Sequence, residues 1–173
     1  MDAAGLLPRD QRVELLDGQL MLMMSIGPRH AGLTTYLQVL FSSHLGEQAL
    51  VRVQNPIHLD AYSEPQPDLA VLKPQADFYM AHHPTPAEVL LVVEVSDSTL
   101  REDRRLKVPH YARAGIVEVW LVAPQQHYVE VYRRPEGGRY AEVMQYRVGS
   151  VLAPLQFSET AFPVQELLGP PPG

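Results

Sequence analysis

The sequence predicts one mixed domain of the α/β or α+β kind, its sheet holding both parallel and antiparallel strands, and three observations predict it. Residues 88–122 read as strand, polar turn, helix and strand, the size of a crossover unit whose two strands lie parallel in one sheet. Asp17-Gly18 sits between two apolar stretches, a strong hairpin signal. A second hairpin is marked by Pro135-Glu136-Gly137-Gly138 between residues 128–132 and 140–146.

In chain order, residues 13–26, VELLDGQLMLMMSI, form the first hairpin, with Glu14 on its first arm or at the end of a preceding helical turn. Pro28 then begins a segment whose Leu33, Leu37, Leu40 and Phe41 recur at helical spacing, so a core helix runs to about Gly46. Residues 50–59 read as a strand interrupted at Pro56. PDLAVL, residues 67–72, reads as another, with Asp68 at its start and Pro67 where no ladder donor is needed. The polar, proline-bearing residues 73–88 read as a loop.

Residues 89–95, VLLVVEV, are short, rich in Val and Leu, and bounded by polar residues, the pattern of a strand buried on both faces. Glu94 stands out in it. A carboxylate there must be paired, protonated or bound to a metal, because an isolated buried charge costs several kcal/mol. Alternation puts Glu94 and Ser96 on one face and Val93 and Val95 on the other. Thr99 with Glu102 predicts a capping box for the helix that follows, Ser98 is an alternative cap, and Gly115 is the stop. Asp103, Lys107 and Tyr111 are four apart and stack on one helix face. Pro109 removes a backbone hydrogen bond, so the helix bends or begins afresh near it. Residues 117–122 return as the parallel strand. A short strand within 151–157 and an apolar piece over 162–168 close the domain.

With 173 residues and 19.4 kDa, the chain fills one core and is too short for two. The domain is expected to span 1–168, leaving 169–173, GPPPG, as a disordered tail. The absence of cysteine excludes disulfides, thiolate nucleophiles and cysteine metal sites. A formal net charge of −6 argues against non-specific coating of nucleic acid but leaves room for a local basic cleft. No apolar run has the length to cross a bilayer and the start shows no export signal, so a cytoplasmic protein is expected. His82-His83 lies in a proline-flanked loop without a third ligand at useful spacing, which argues against zinc.

Asp68 after a proline at a strand start, Glu94 followed by Val95-Ser96, and Lys107 in the next helix together resemble the PD-(D/E)XK nuclease superfamily. PDLAVL with LLVVEVSDSTLREDRRLKVPHYARAGIVEVWLVAP looks like the Uma-type endonuclease family in particular, and the likeness runs from VELLDGQL through Arg29-His30 to EVYRR. The resemblance implies a restriction-endonuclease-like core with N-terminal and C-terminal hairpins. It also implies a Mg²⁺- or Mn²⁺-dependent site that hydrolyses phosphodiester bonds of nucleic acid, DNA first. Asp68 and Glu94 would be metal ligands, helped by the Val95 carbonyl. Lys107 would be the catalytic cation. It replaces the lysine that the superfamily usually carries two residues after the acid, where Ser96 stands here. Glu14 would match the acid supplied by the N-terminal segment, and Gln19 stands where a glutamate is often found.

These residue types suit that chemistry. Mg²⁺ takes hard oxygen ligands and keeps several waters, so one or two carboxylates suffice. A lysine can orient or deprotonate the attacking water or neutralise phosphate charge. One cation near two acids is expected to keep all three ionised. The residues alone also allow plainer roles. Glu94 with Lys107 reads as a structural ion pair, and Asp103 with Lys107 as an exposed helix pair. Arg101, Arg104, Arg105 and Lys107 read as a solvated face or as phosphate contacts. His30 reads as a site neighbour or a satisfier of local backbone groups, and Tyr111 and Trp120 as core or cleft-wall aromatics. The rival function is a catalytically inactive interaction protein that retains the nuclease fold, for which Ser96 and the acidic balance leave room. A homodimer is the expected assembly.

Overall fold

The computed structural model describes residues 13–23, 26–97 and 99–170. The alternative cap Ser98 and the last three residues of the Pro/Gly tail lie outside them.

The described residues begin with β1 (Val13–Leu16) and β2 (Gln19–Leu22), paired antiparallel as a separate two-stranded sheet. Asp17 and Gly18 both take positive φ, 49° and 75°, the left-handed pair that a tight hairpin with the right twist demands. Next comes α1 (Pro28–Leu45), with Pro28 at a first-turn position where a missing N–H costs nothing. β3 (Leu50–Val53) and β4 (Leu69–Leu72) follow, then β5 (Val89–Val95). The strand expected over residues 50–59 stops at Val53, because Gln54 turns to φ 50° and redirects the chain before Pro56 is reached.

After β5 come α2 (Leu100–Glu102), a π-helical stretch (Asp103–Lys107) and α3 (Val108–Ala114). The helix does not begin afresh at Pro109: the backbone stays right-handed helical through Glu102, Asp103, Lys107 and Val108, and a π turn takes up the missing donor. Proline cannot donate to the carbonyl four residues back, and the wider π turn lies just before it. Gly115 ends α3 at φ 80°, its N–H donating to the Ala112 and Tyr111 carbonyls. The Thr99 capping box does not form, because the Thr99 hydroxyl donates to Asp103 at 2.7 Å instead. A capping box does form at Thr85 and Glu88, inside the segment expected to be loop, where it starts a single 3-10 turn.

β6 (Glu118–Ala123) runs parallel to β5 as expected. β7 (Tyr128–Glu136) and β8 (Arg139–Arg147) make the second hairpin, with longer strands than the tyrosine runs alone suggest. β9 (Val151–Leu152) and β10 (Phe162–Pro163) pair as a small sheet, and α4 (Val164–Leu167) ends the ordered elements.

The main sheet has the order β3-β4-β5-β6-β7-β8, antiparallel except for the central β5–β6 pair. One face packs on α1 and the C-terminal segment: Leu37, Phe41 and Phe162 meet Val93, Val95 and Trp120. Phe41 and Phe162 stack with centroids 4.6 Å apart, and each such buried side chain contributes about 1.5–3 kcal/mol. The other face carries Val92, Val119 and Leu121 against Tyr111 and Ile116 of the α3 region. Glu94 belongs to this second face by alternation. Among the described residues no helix is long and apolar enough to cross a membrane.

Candidate active site

The pairing of β4 with β5 sets Leu69 opposite Val93, which brings Asp68, one residue earlier, beside Glu94. The Asp68 N–H donates to Glu94 Oε2 at 3.3 Å, and the Val95 N–H donates to Asp68 Oδ2 at 2.8 Å. The Ser96 N–H donates to the Val122 carbonyl at 2.8 Å. Across a trans peptide the Val95 carbonyl points the opposite way, toward the Asp68 edge.

Three further elements reach the same place. From the π stretch, the Lys107 ammonium lies 3.3 Å from each Glu94 oxygen and 3.7 Å from Glu14 Oε2. From α3, the Tyr111 hydroxyl donates to Glu94 Oε1 at 2.6 Å. From the start of α1, His30 Nε2 meets Asp68 Oδ1 at 2.8 Å. Glu14 on β1 is buried and accepts from the Gln66 N–H at 3.2 Å. The π turn therefore serves the site: Asp103, Lys107 and Tyr111, which share one helix face, all reach it.

Two neighbours escape a reading of motifs. Asp103 accepts from Ser96 Oγ at 2.8 Å and from Thr99, so Ser96, which occupies the usual lysine position, orients an extra acid. Gln54 donates to Asp68 Oδ1 at 3.3 Å from the kink that ends β3. The break of the strand pattern at Gln54-Asn55-Pro56 is the sequence signal that marks it. Other candidates lie elsewhere. Arg104 is bidentate to Glu130 at 2.6 and 3.0 Å and donates to the Tyr128 hydroxyl, so it ties the helix to β7. Gln19 is exposed on β2. Trp120 is in the core with its indole N–H on Glu118. His82 bonds the His83 carbonyl.

Burial dominates the electrostatics. Glu94 is 1% exposed, and burial pushes its carboxyl up to about 8 although the Lys107 ammonium opposes the shift. Burial likewise raises Asp103. For Lys107 burial acts downward, but the carboxylates of Glu94, Glu14, Asp103 and Asp68 outweigh it and hold the ammonium above its ordinary value. Burial acts upward on the half-buried Asp68 as well, yet the hydrogen bond and charge of His30, the charge of Lys107 and the Val95 N–H keep it below the usual range. The bond to Asp68 raises His30 in turn. Four carboxyl groups thus surround Lys107 and His30, and burial shifts Glu94 upward against the opposing charge of Lys107.

Among the described residues no group of three or more His, Asp or Glu is arranged to hold a metal. The donor set consists of two carboxylates side by side, Asp68 and Glu94, with the Val95 carbonyl on the same edge. These groups form one end of a cleft of about 350 Å³, whose lining continues over Leu22, Ile26 and Leu106.

A six-stranded mixed sheet with flanking hairpins, and with acids from adjacent strands meeting a lysine from the crossover helix, defines a protein of the restriction-endonuclease-like class. The chain belongs to the Uma2 family, described as "Putative restriction endonuclease", whose model matches residues 3–165. A solved structure from Anabaena variabilis ATCC 29413, described as "a putative nuclease belonging to DUF820", is similar with a TM-score of 0.75 over 95% of this chain and 93% of that one. At 15% identity that likeness is one of fold. No curated protein matches the chain.

Proposed function

We propose that this protein is a Mg²⁺- or Mn²⁺-dependent endonuclease that hydrolyses phosphodiester bonds of nucleic acid, DNA first, acting in the cytoplasm as a homodimer. The observation that carries the proposal is Glu94: a carboxyl 1% exposed, beside Asp68, within 3.3 Å of the Lys107 ammonium. The excess of acid over base fits a divalent cation, and the donors are the hard oxygens that Mg²⁺ takes. Asp68, Glu94 and the Val95 carbonyl would hold the ion. When bound, it supplies an activated water and stabilises charge on the phosphoryl oxygens.

The remaining work belongs to the chain. His30 and Gln54 fix the orientation of Asp68, and the Tyr111 hydroxyl fixes that of Glu94. As a ligand Glu94 would be ionised, its carboxylate oxygen offered to the ion. Lys107 holds the attacking water or a phosphoryl oxygen by charge-assisted hydrogen bonding. Glu14 draws the ammonium toward the hairpin and so sets its position.

One observation favours the non-catalytic reading: each of the four Asp68 and Glu94 carboxylate oxygens already meets a protein donor. Two measurements separate the readings. Single-stranded, duplex and supercoiled DNA and RNA are incubated with Mg²⁺ or Mn²⁺, beside Glu94→Gln. Cleavage by the native protein that the variant loses supports the enzyme. Cleavage that survives in the variant, or a melting temperature that millimolar ion leaves unchanged in both the native protein and Asp68→Asn, supports the rival.

A further inference from the structure

The charged floor of the cleft is overhung by the β1–β2 hairpin, and that hairpin is fastened down. The Gly18 N–H donates to the Tyr62 carbonyl and the Glu64 N–H to the Leu15 carbonyl, both at 2.8 Å. At the turn, Asp17 pairs with Arg113 at 2.9 Å and His110 at 3.0 Å, both on α3. A cleft of about 350 Å³ is therefore bounded by held elements. That volume is at the small end of pockets for single small ligands, about 300–1,000 Å³, and matches one nucleotide unit better than a rigid double helix.

The lining is wrong for a duplex backbone in a second way. Glu14, Asp68, Glu94, Asp97, Glu102 and Asp103 face the cleft against Arg29, His30 and Lys107. Arg29 is itself near Asp97, at 3.9 Å. Duplex binding draws on rows of cations that neutralise phosphates, one charge about every 1.7 Å of helix axis. What the cleft does offer is apolar surface open to solvent: Leu22 is 66%, Leu106 38% and Ile26 36% exposed. The faces of paired bases are hidden by stacking, so only an unpaired base can use it.

From this we infer that the nucleic acid substrate is single-stranded, or locally unpaired, with one nucleotide entering the cleft and its base lying on Leu22, Ile26 and Leu106. The inference rests on the nuclease reading above and narrows its substrate. A duplex reaches the floor only where it is melted.

The test compares one sequence as single-stranded DNA, single-stranded RNA, blunt duplex and a duplex with an internal unpaired bubble, with Mn²⁺. Cleavage of a single strand and of the bubble should exceed that of the blunt duplex at least about tenfold, with cuts inside the bubble, as expected for one base contact. Leu106→Ala and Leu22→Ala should lower the single-strand rate several-fold without moving the melting temperature. Duplex cut as fast as single strand, or rates indifferent to both leucine variants, overturns the inference while leaving the nuclease reading intact. If nothing is cut, fluorescence anisotropy with the same oligonucleotides decides. Tighter single-strand binding that Leu106→Ala weakens upholds the unpaired ligand and removes only the enzyme. Equal or absent binding overturns the inference.

Discussion

The Lys107 ammonium and the Glu94 carboxyl lie 3.3 Å apart with side chains only 15% and 2% exposed, although a strand end, a turn and a π turn separate them in the chain. Removing either strands the other away from water. Lys107→Met is expected to abolish nuclease activity and to drive Glu94 further toward its protonated form. Its stability cost is about 1–3 kcal/mol, less than the roughly 3–5 kcal/mol of a stranded charge, because Glu94 can take up a proton. Chemical denaturation measures this directly. A variant with an unchanged midpoint and full activity would show that the pair is incidental.

The raised Glu94 carboxyl makes stability depend on pH in a stated direction. Its ordinary value is 4.5 and its folded value about 8, so between these the folded state holds a proton that the unfolded state has lost. Stability from this group is full below about 4.5 and is lost as pH rises through about 8. His30, also raised, adds a loss in the same direction that begins near its ordinary 6.5. In metal-free buffer the melting temperature should therefore fall from pH 5 to 8.5. Glu94→Gln should flatten the fall below about pH 6.5, where His30 does not yet contribute, and leave the His30 part above it. A slope identical in native protein and variant would mean that Glu94 titrates normally.

Much of this architecture is written in local patterns. The Asp17-Gly18 and Gly137-Gly138 turns, the unbroken apolar run of β5 and the Gly115 stop each answer to one backbone or burial rule, and each lies where its pattern puts it. The capping box at Thr99 misleads because a tertiary partner, Asp103, competes for the hydroxyl. In the site, Asp68, Glu94 and Lys107 stand in motif positions. The roles of His30, Gln54 and Asp103 depend instead on how α1, the end of β3 and the π turn converge, and spacing along the chain carries no record of that. Glu14 is legible only through resemblance, since a hairpin acid is ordinarily solvated and this one is 7% exposed.

His30 separates orientation of Asp68, the proposed metal ligand, from the chemistry itself. Its 2.8 Å contact fixes one Asp68 oxygen, so His30→Ala should cost about 1 kcal/mol of stability and weaken Mn²⁺ binding about 10–100-fold. Isothermal titration with Mn²⁺ in the absence of substrate reads the affinity. His30→Gln, which can still donate, should recover much of it. Native affinity in His30→Ala would reduce the contact to packing.

Glu118 provides the counter-example, a buried acid whose work is structural. It is fully buried at the start of β6, opposite Arg133 in the β6–β7 register. Its Oε1 accepts from Arg133 Nε and Trp120 Nε1, each at 2.8 Å, and its Oε2 accepts from the Leu155 N–H at 2.7 Å. Arg133 also donates to the Ala153 carbonyl at 2.7 Å, so the pair ties β6, β7 and the segment leading to β10 together. By alternation Glu118 shares the α1 face with Trp120, opposite to Glu94, and Glu94 pairs with Leu121 three residues further along. Glu118→Ala leaves Arg133 and two N–H groups without their acceptor and should cost about 3–5 kcal/mol. Well-separated sites add independently, so the variant's melting temperature should still rise with Mn²⁺ by the native increment. Loss of that increment in a folded Glu118→Ala protein would show that the two faces of the sheet are coupled and that the site extends through it.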